Sequence, residues 1–110
     1  MSRIDGRTWT PAGALDALGR TNANFVTLFQ QGTLEVEIYQ PVGTDRQQPH
    51  TKDELYVVIA GTGAFVHGDM RSPFGPGDAL FVRAGIVHRF EDFSADFATW
   101  VFFYGPEGGE

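Results

Sequence analysis

Glycine and proline punctuate this chain at intervals of about ten residues, leaving short runs rich in Val, Phe, Ile and Tyr between them. Short β-forming runs separated by turn residues at that spacing predict an all-β sandwich or barrel. The predicted strands are Phe25–Gln30, Thr33–Tyr39, Leu55–Ala60, Ala64–His67, Ala79–Arg83, His88–Phe90 and Phe97–Tyr104. Gln31-Gly32 suits a tight hairpin between the first two, and His67-Gly68-Asp69-Met70 reads as another turn. Only one segment looks helical. Thr10 is placed to act as N-cap, Pro11 sits where a first-turn proline is tolerated, and Gly19 can end the helix after Leu18. The helix is short, with Leu15 and Leu18 as its only large apolar contacts. With 110 residues and no internal repeat, low-complexity stretch or linker, the chain reads as one domain over residues 1–110 with a core of its own.

Two of the strands lack polar alternation. Leu55-Tyr56-Val57-Val58-Ile59 and Phe97–Tyr104 are apolar on both faces, so each needs a second layer over its outer side. The N-terminal segment 1–24 or a second subunit, as in a homodimer, can supply it. Glu35 and Glu37 alternate with Leu34, Val36 and Ile38 and read as solvent-facing, while the polar Gly105–Glu110 reads as frayed.

The formal net charge is -6, and an acidic surface repels phosphate backbones, so no nucleic acid partner is expected. Cysteine is absent, which removes disulfides, thiolate metal sites and Cys nucleophiles together. No apolar stretch approaches the roughly 20 residues of a spanning helix, so no membrane partner is expected. Met1–Gly6 has no apolar leader, and a cytoplasmic location is the default expectation.

Catalysis must therefore use His, carboxylates, hydroxyls or a metal. His50 and Glu54 form the first informative pair. With an irregular turn over Thr51–Asp53, the histidine and the glutamate that opens the next strand can point at one spot. Glu54 shares a strand face with Tyr56 and Val58, and a buried carboxylate there needs a cation or hydrogen-bond donors. His88, in a turn leading into a strand, can add a second imidazole. Two imidazoles and a carboxylate around open positions suit a divalent transition metal. The plainer reading is of two structural histidines with Glu54 salt-bridged. His67 lies in a turn away from these residues, Asp53 reads as surface, and Arg46, Lys52, Arg71 and Arg89 read as solvated.

Gly43 to Gly61 resembles the first conserved motif of the cupins: a glycine, His-x-His, a Glu three or four residues on, then a glycine six residues later. Gly77, Arg83-Ala84-Gly85 and His88 resemble the second: glycine, five residues, Pro-x-Gly, two residues, His. The two motifs span residues 43–92 in the right order. The departures are Gln48 in place of the first histidine, a first glycine one residue too near, Arg83 in place of the proline, and Asp92 in place of an asparagine. The resemblance implies a small cupin jelly-roll β-barrel of the type 2 conserved-barrel kind, one domain per chain and often a homodimer, to which the sequence adds one short N-terminal helix. It implies metal ligands His50, Glu54 and His88, with Gln48 in the fourth place as ligand, water holder or substrate contact. Arg83, near the barrel mouth, can attract an anionic substrate.

Tyr56, Val58 and Phe90 are expected to line the pocket. The ligand set admits iron, manganese, nickel, zinc or copper. The function expected first is a metal-dependent dioxygenase acting on a small chelating organic substrate such as an enediol, catechol or β-diketone. Metal-dependent isomerase or lyase chemistry ranks lower, because Tyr56 is the one inner-face acid–base candidate in the sequence. A non-catalytic module that binds a metal or small ligand is the alternative from another class.

Overall fold

The structure, a computed structural model, describes residues 8–110; the expectation about Met1–Gly6 lies outside them. A short helix is followed by strands that form two antiparallel sheets. Helix α1 (Pro11–Gly19) starts as the sequence predicts: the Thr10 hydroxyl accepts from the Gly13 N–H at 3.0 Å, and Pro11 opens the first turn. The larger sheet has the order β1-β2-β8-β3-β6, formed by β1 (Phe25–Gln31), β2 (Leu34–Tyr39), β8 (Ala98–Tyr104), β3 (Asp53–Ala60) and β6 (Ala79–Val82). The smaller has the order β5-β4-β7, from β5 (Met70–Phe74), β4 (Gly63–His67) and β7 (His88–Glu91). Strand β5 is absent from the sequence reading. Pro73 argues against a strand, but β5 is an edge strand with one neighbour, where a missing N–H is tolerated.

Between the sheets lies an aromatic core. Phe90 meets Tyr56, Phe65, Phe74 and Phe97 with ring centroids 4.6–5.4 Å apart. Burying each such side chain stabilises the fold by roughly 1.5–3 kcal/mol relative to exposure. These rings fill one end of the barrel, and the other end stays open.

The outer face of the larger sheet is covered in part by the N-terminal segment. Ala14 and Leu18 of α1 bury Ile38, with Val26, Leu28, Ile59 and Trp100 packed around them. Trp9 meets Phe29 at 5.2 Å. Farther along the same face, Leu55 and Phe102 are half-buried and Phe81 is exposed. The outer face of the smaller sheet is charged instead: Glu91 accepts from Arg71 at 3.1 Å and from Arg89 at 2.6 Å.

Two further expectations change. Gly105–Glu110 is tied down, with the Gly108 N–H on the Thr51 carbonyl at 2.6 Å and the Glu110 N–H on Asp53 Oδ2 at 3.1 Å. Asp53 is accordingly buried, not surface, and also accepts from the Ala84 N–H at 2.8 Å. Those two backbone donors hold its carboxyl below the usual carboxylate range. Among the described residues, no helix is long and apolar enough to cross a membrane.

Candidate metal centre

Register fixes which side chains face the barrel interior. Strand β8 pairs Phe103 with both Glu35 and Glu54, Val101 with both Glu37 and Tyr56, and Thr99 with both Tyr39 and Val58. Paired residues share a face, so Glu35, Glu37 and Tyr39 of β2 look into the same space as Glu54 and Tyr56 of β3. The expectation that Glu35 and Glu37 face solvent is therefore corrected. The alternation is as read, but β2 is covered on both sides, and its apolar face is the one under α1. Glu35, Glu37, Tyr39, Glu54, Tyr56, Val101 and Phe103 line a cavity of about 600 Å³ at the open end of the barrel.

His50 and Glu54 of this lining converge with the fully buried His88, each offering a ligand atom within 4.8 Å of the others. Glu54 arrives from β3, His88 from the start of β7, and His50 from the irregular segment before β3. His88 Nε2 lies 2.8 Å and His50 Nε2 3.9 Å from Glu54 Oε1. Glu54 has no solvent exposure; His88 Nε2, 2.8 Å from its Oε1, is its close partner, and among the described residues neither oxygen receives a geometrically regular hydrogen bond. A buried carboxylate in that state is costly unless a cation completes it.

The histidines are set up differently. The His88 Nδ1–H donates to the Ile86 carbonyl at 2.8 Å, which orients the ring and turns Nε2 toward Glu54. A metal-ligating histidine is held by its other nitrogen in just this manner. Burial pulls the His88 pKa down, but the Glu54 carboxylate and the Ile86 carbonyl outweigh it and raise it above the ordinary histidine value. For His50, burial outweighs the attraction of Glu54 and lowers it, which favours the neutral ring that a metal requires. The donor set and the buried carboxylate both fit a divalent transition metal.

Sequence reading missed the polar clamp around these residues. Asp45 is buried and accepts from the Tyr39 hydroxyl (2.5 Å), the Gln47 side-chain amide (2.7 Å), the Gln47 N–H (3.2 Å) and the Phe90 N–H (2.8 Å). Because Asp45 takes the amide nitrogen, Gln47 presents its oxygen to the site. Gln47 Oε1 accepts from the Tyr56 hydroxyl at 3.0 Å and lies 3.3 Å from His50 Nε2. The Tyr56 oxygen is also 3.1 Å from His88 Nε2. Burial, with Glu54 beside it, pushes the Tyr56 phenol well above its usual range, so it holds its proton. The one available signal was the Asp45-x-Gln47 spacing, in which an Asp side chain bonds the backbone two residues on.

Gln48 is exposed at the mouth of the cavity, one residue beyond the amide that reaches the histidines. Val58 and Phe90 share the predicted faces but are packed in the aromatic core below, while Val101 and Phe103 form the wall with Tyr56. Strand parity gives the face and not the depth. His67 ends β4 opposite His88 and is not part of the cluster. Arg83 is exposed and off the cavity wall, where Arg46 and Lys52 supply the positive charge.

Residues 35–104 match the profile of a family described as the cupin domain. Over 64 residues the chain is 38% identical to an uncharacterised protein of Streptomyces coelicolor, a match covering 58% of this chain and 61% of that protein, less than two-thirds of its length. The DMSP lyase DddQ of Ruegeria pomeroyi superposes with a TM-score of 0.63 at 24% identity, over 74% of this chain and 46% of the lyase. A cupin-2 domain containing protein of Shewanella frigidimarina gives 0.64 at 14% identity, over 83% and 91% of the two chains. At these identities the solved structures establish the shared fold.

Proposed function

Since the chain belongs to the cupin domain family, we propose that it holds one divalent transition metal at His50, Glu54 and His88 and uses it on a small chelating organic substrate. The observation that carries this reading is Glu54, a fully buried carboxylate with no regular hydrogen bond to either oxygen among the described residues, set against the His88 ring at 2.8 Å and beside His50. Bound there, iron, manganese, nickel, zinc or copper would supply Lewis acidity and open positions for substrate oxygens. The protein's own part is orientation and exclusion of water. Tyr56, Val101 and Phe103 give the wall an apolar surface, Tyr56 holds a proton near the histidines, and the Asp45–Gln47 clamp aims an amide oxygen at them.

Dioxygenase chemistry on an enediol, catechol or β-diketone is the reaction expected first from the sequence, on the ground that the wall is poor in acids and bases. With Glu35 and Glu37 on that wall, the ground for that ranking is gone. This favours the second class, isomerisation or elimination, in which a positioned side chain moves a proton.

Elemental analysis of untagged protein by inductively coupled plasma mass spectrometry tests the reading. The expected result is about one metal per chain, lost in His50→Ala and in His88→Ala while both variants keep a β-sheet spectrum. Absence of metal after reconstitution, or wild-type content in either variant, overturns it. Oxygen uptake with diketones and catechols then separates dioxygenase from proton-transfer chemistry, and a ligand-induced thermal shift without product identifies a binding module.

A further inference from the structure

Glu37 projects from the middle of β2 into the cavity, across Val101 from Tyr56. Two strand spacings separate its backbone from that of Tyr56, roughly 10 Å. The cavity between, about 600 Å³, has the size of sites that take small organic molecules. Glu35, its neighbour on the same face, has Lys52 Nζ at 3.9 Å as a counter-charge. Among the described residues no ion pair involves Glu37, and the Thr27 hydroxyl donates to its Oε2 at 3.3 Å. A half-buried carboxyl group without a counter-ion, opposite a cluster suited to hold substrate oxygens, is well placed to exchange protons with whatever lies between.

We propose that Glu37 is the catalytic proton carrier of this cavity, acting on a small 2-oxo acid or hydroxyketone whose oxygens face His50, Glu54 and His88. The assignment rests on the metal reading above. In the forward step the C–H bond beside the substrate carbonyl breaks and its proton passes to the Glu37 carboxylate. Its electron pair forms the carbon–carbon double bond of an enolate as the carbonyl π pair moves onto oxygen. In a hydroxyketone, return of that proton to the former carbonyl carbon, with the hydroxyl proton passing to the enolate oxygen as the hydroxyl-bearing carbon becomes the new carbonyl, gives the isomer. In either substrate, return of a solvent-exchanged proton to the original carbon gives labelled substrate. No oxidant or reductant is needed.

The electrostatic setting agrees with that role. Burial pushes the Glu37 carboxyl up to about 7, the charges of Glu35 and Glu54 add to the rise, and the Thr27 hydroxyl partly opposes it. A group that titrates near neutral pH works in both directions as base and acid. The other titratable or charged groups on this cavity are Tyr39 on its own strand, Tyr56 on β3, Arg46, His50 and Lys52 in the β2–β3 connection, and Glu107. Val101 of β8 and Thr27 of β1, directly beside it, do not titrate.

Hydrogen exchange tests the assignment without a known substrate. Metal-loaded protein is incubated in D2O with pyruvate, 2-oxobutanoate or dihydroxyacetone, and loss of the C–H signal next to the carbonyl is followed by NMR from about pH 5.5 to 8.5, against the same metal free in buffer. The expected result is protein-dependent exchange of at least one probe, rising with pH through about 7 and then level. Glu37→Gln should slow it about 10²–10⁴-fold with unchanged metal content, and Glu37→Asp should recover part of the rate. Metal-loaded wild type that exchanges no probe, or Glu37→Gln with the wild-type rate, overturns the role of Glu37 and leaves the metal centre standing. A wild type that takes up no metal overturns the centre, and the assignment with it.

Discussion

Replacing Glu37 by Gln removes a carboxylate that is harder to ionise in the folded chain than in the unfolded one, and the consequence is a pH-dependent gain in stability. Its pKa rises from 4.5 to about 7, chiefly because burial strips water from the charged form. Above its raised value the folded chain carries a poorly hydrated charge, whereas below about 4.5 the group is neutral in both states. Between those limits the folded state binds more protons than the unfolded state, so the contribution of Glu37 to stability falls as the pH rises. At 1.36 kcal/mol per unit the full interval is a ceiling of about 3 kcal/mol. The carboxyl group still meets water, and screening reduces this to about 1–2 kcal/mol. A domain of this size melts about 4 °C higher per kcal/mol gained. Glu37→Gln should therefore match wild type near pH 4 and melt about 4–8 °C higher near pH 8. Thermal melts followed by circular dichroism, with chelator in every sample, measure the difference. A gap between variant and wild type that is the same at every pH would refute the placement of this carboxyl group on the inner wall.

Asp45→Ala should leave the buried Phe90 N–H without an acceptor, at about 1–3 kcal/mol in urea unfolding. It also frees the Gln47 amide to flip, so metal titration should show affinity about 10–100-fold weaker; an unchanged affinity would mean that the clamp does not orient the site. Gly61→Ala should destabilise by about 3 kcal/mol or more, because a Cβ there would stand 2.5 Å from the Phe97 Cα on a backbone at φ +91°. Gly43→Ala, with φ +75° and open space around it, serves as the control at about 1–2 kcal/mol.

What the sequence disclosed was whatever is local. Thr10 and Pro11 start the helix because an N-cap acts within one turn, whereas the helix runs through Gly19 to a C-cap at Arg20 rather than ending after Leu18. His50, Glu54 and His88 were legible because strand parity and motif spacing both survive in the linear order. The Asp45–Gln47 clamp was not, since it depends on how an irregular connection folds back over Tyr39 and Phe90. Glu35 and Glu37 were grouped on the right face and assigned to the wrong environment, because alternation cannot say which side of a doubly covered strand is the interior. Asp53 and the C-terminal segment were misread for a related reason: their hydrogen bonds join residues 57 positions apart.

Strand β8 comes last along the chain and third across the larger sheet, between β2 and β3. Until residues 98–104 have been synthesised, β2 and β3 have no common neighbour, and each shows an open hydrogen-bonding edge. The hairpins β1–β2 and β4–β5 can close early from local contacts, but the sheet that carries Glu54 cannot be assembled from them. Such non-local pairing is slow, and waiting edges invite association with other chains. Between completion of β6 at Val82 and synthesis of β8, the larger sheet can exist only as two halves, β1–β2 and β3–β6, awaiting a centre strand. A ribosome stalled before Ala98 would hold a product that no amount of metal could rescue, and chaperone demand should peak at that point.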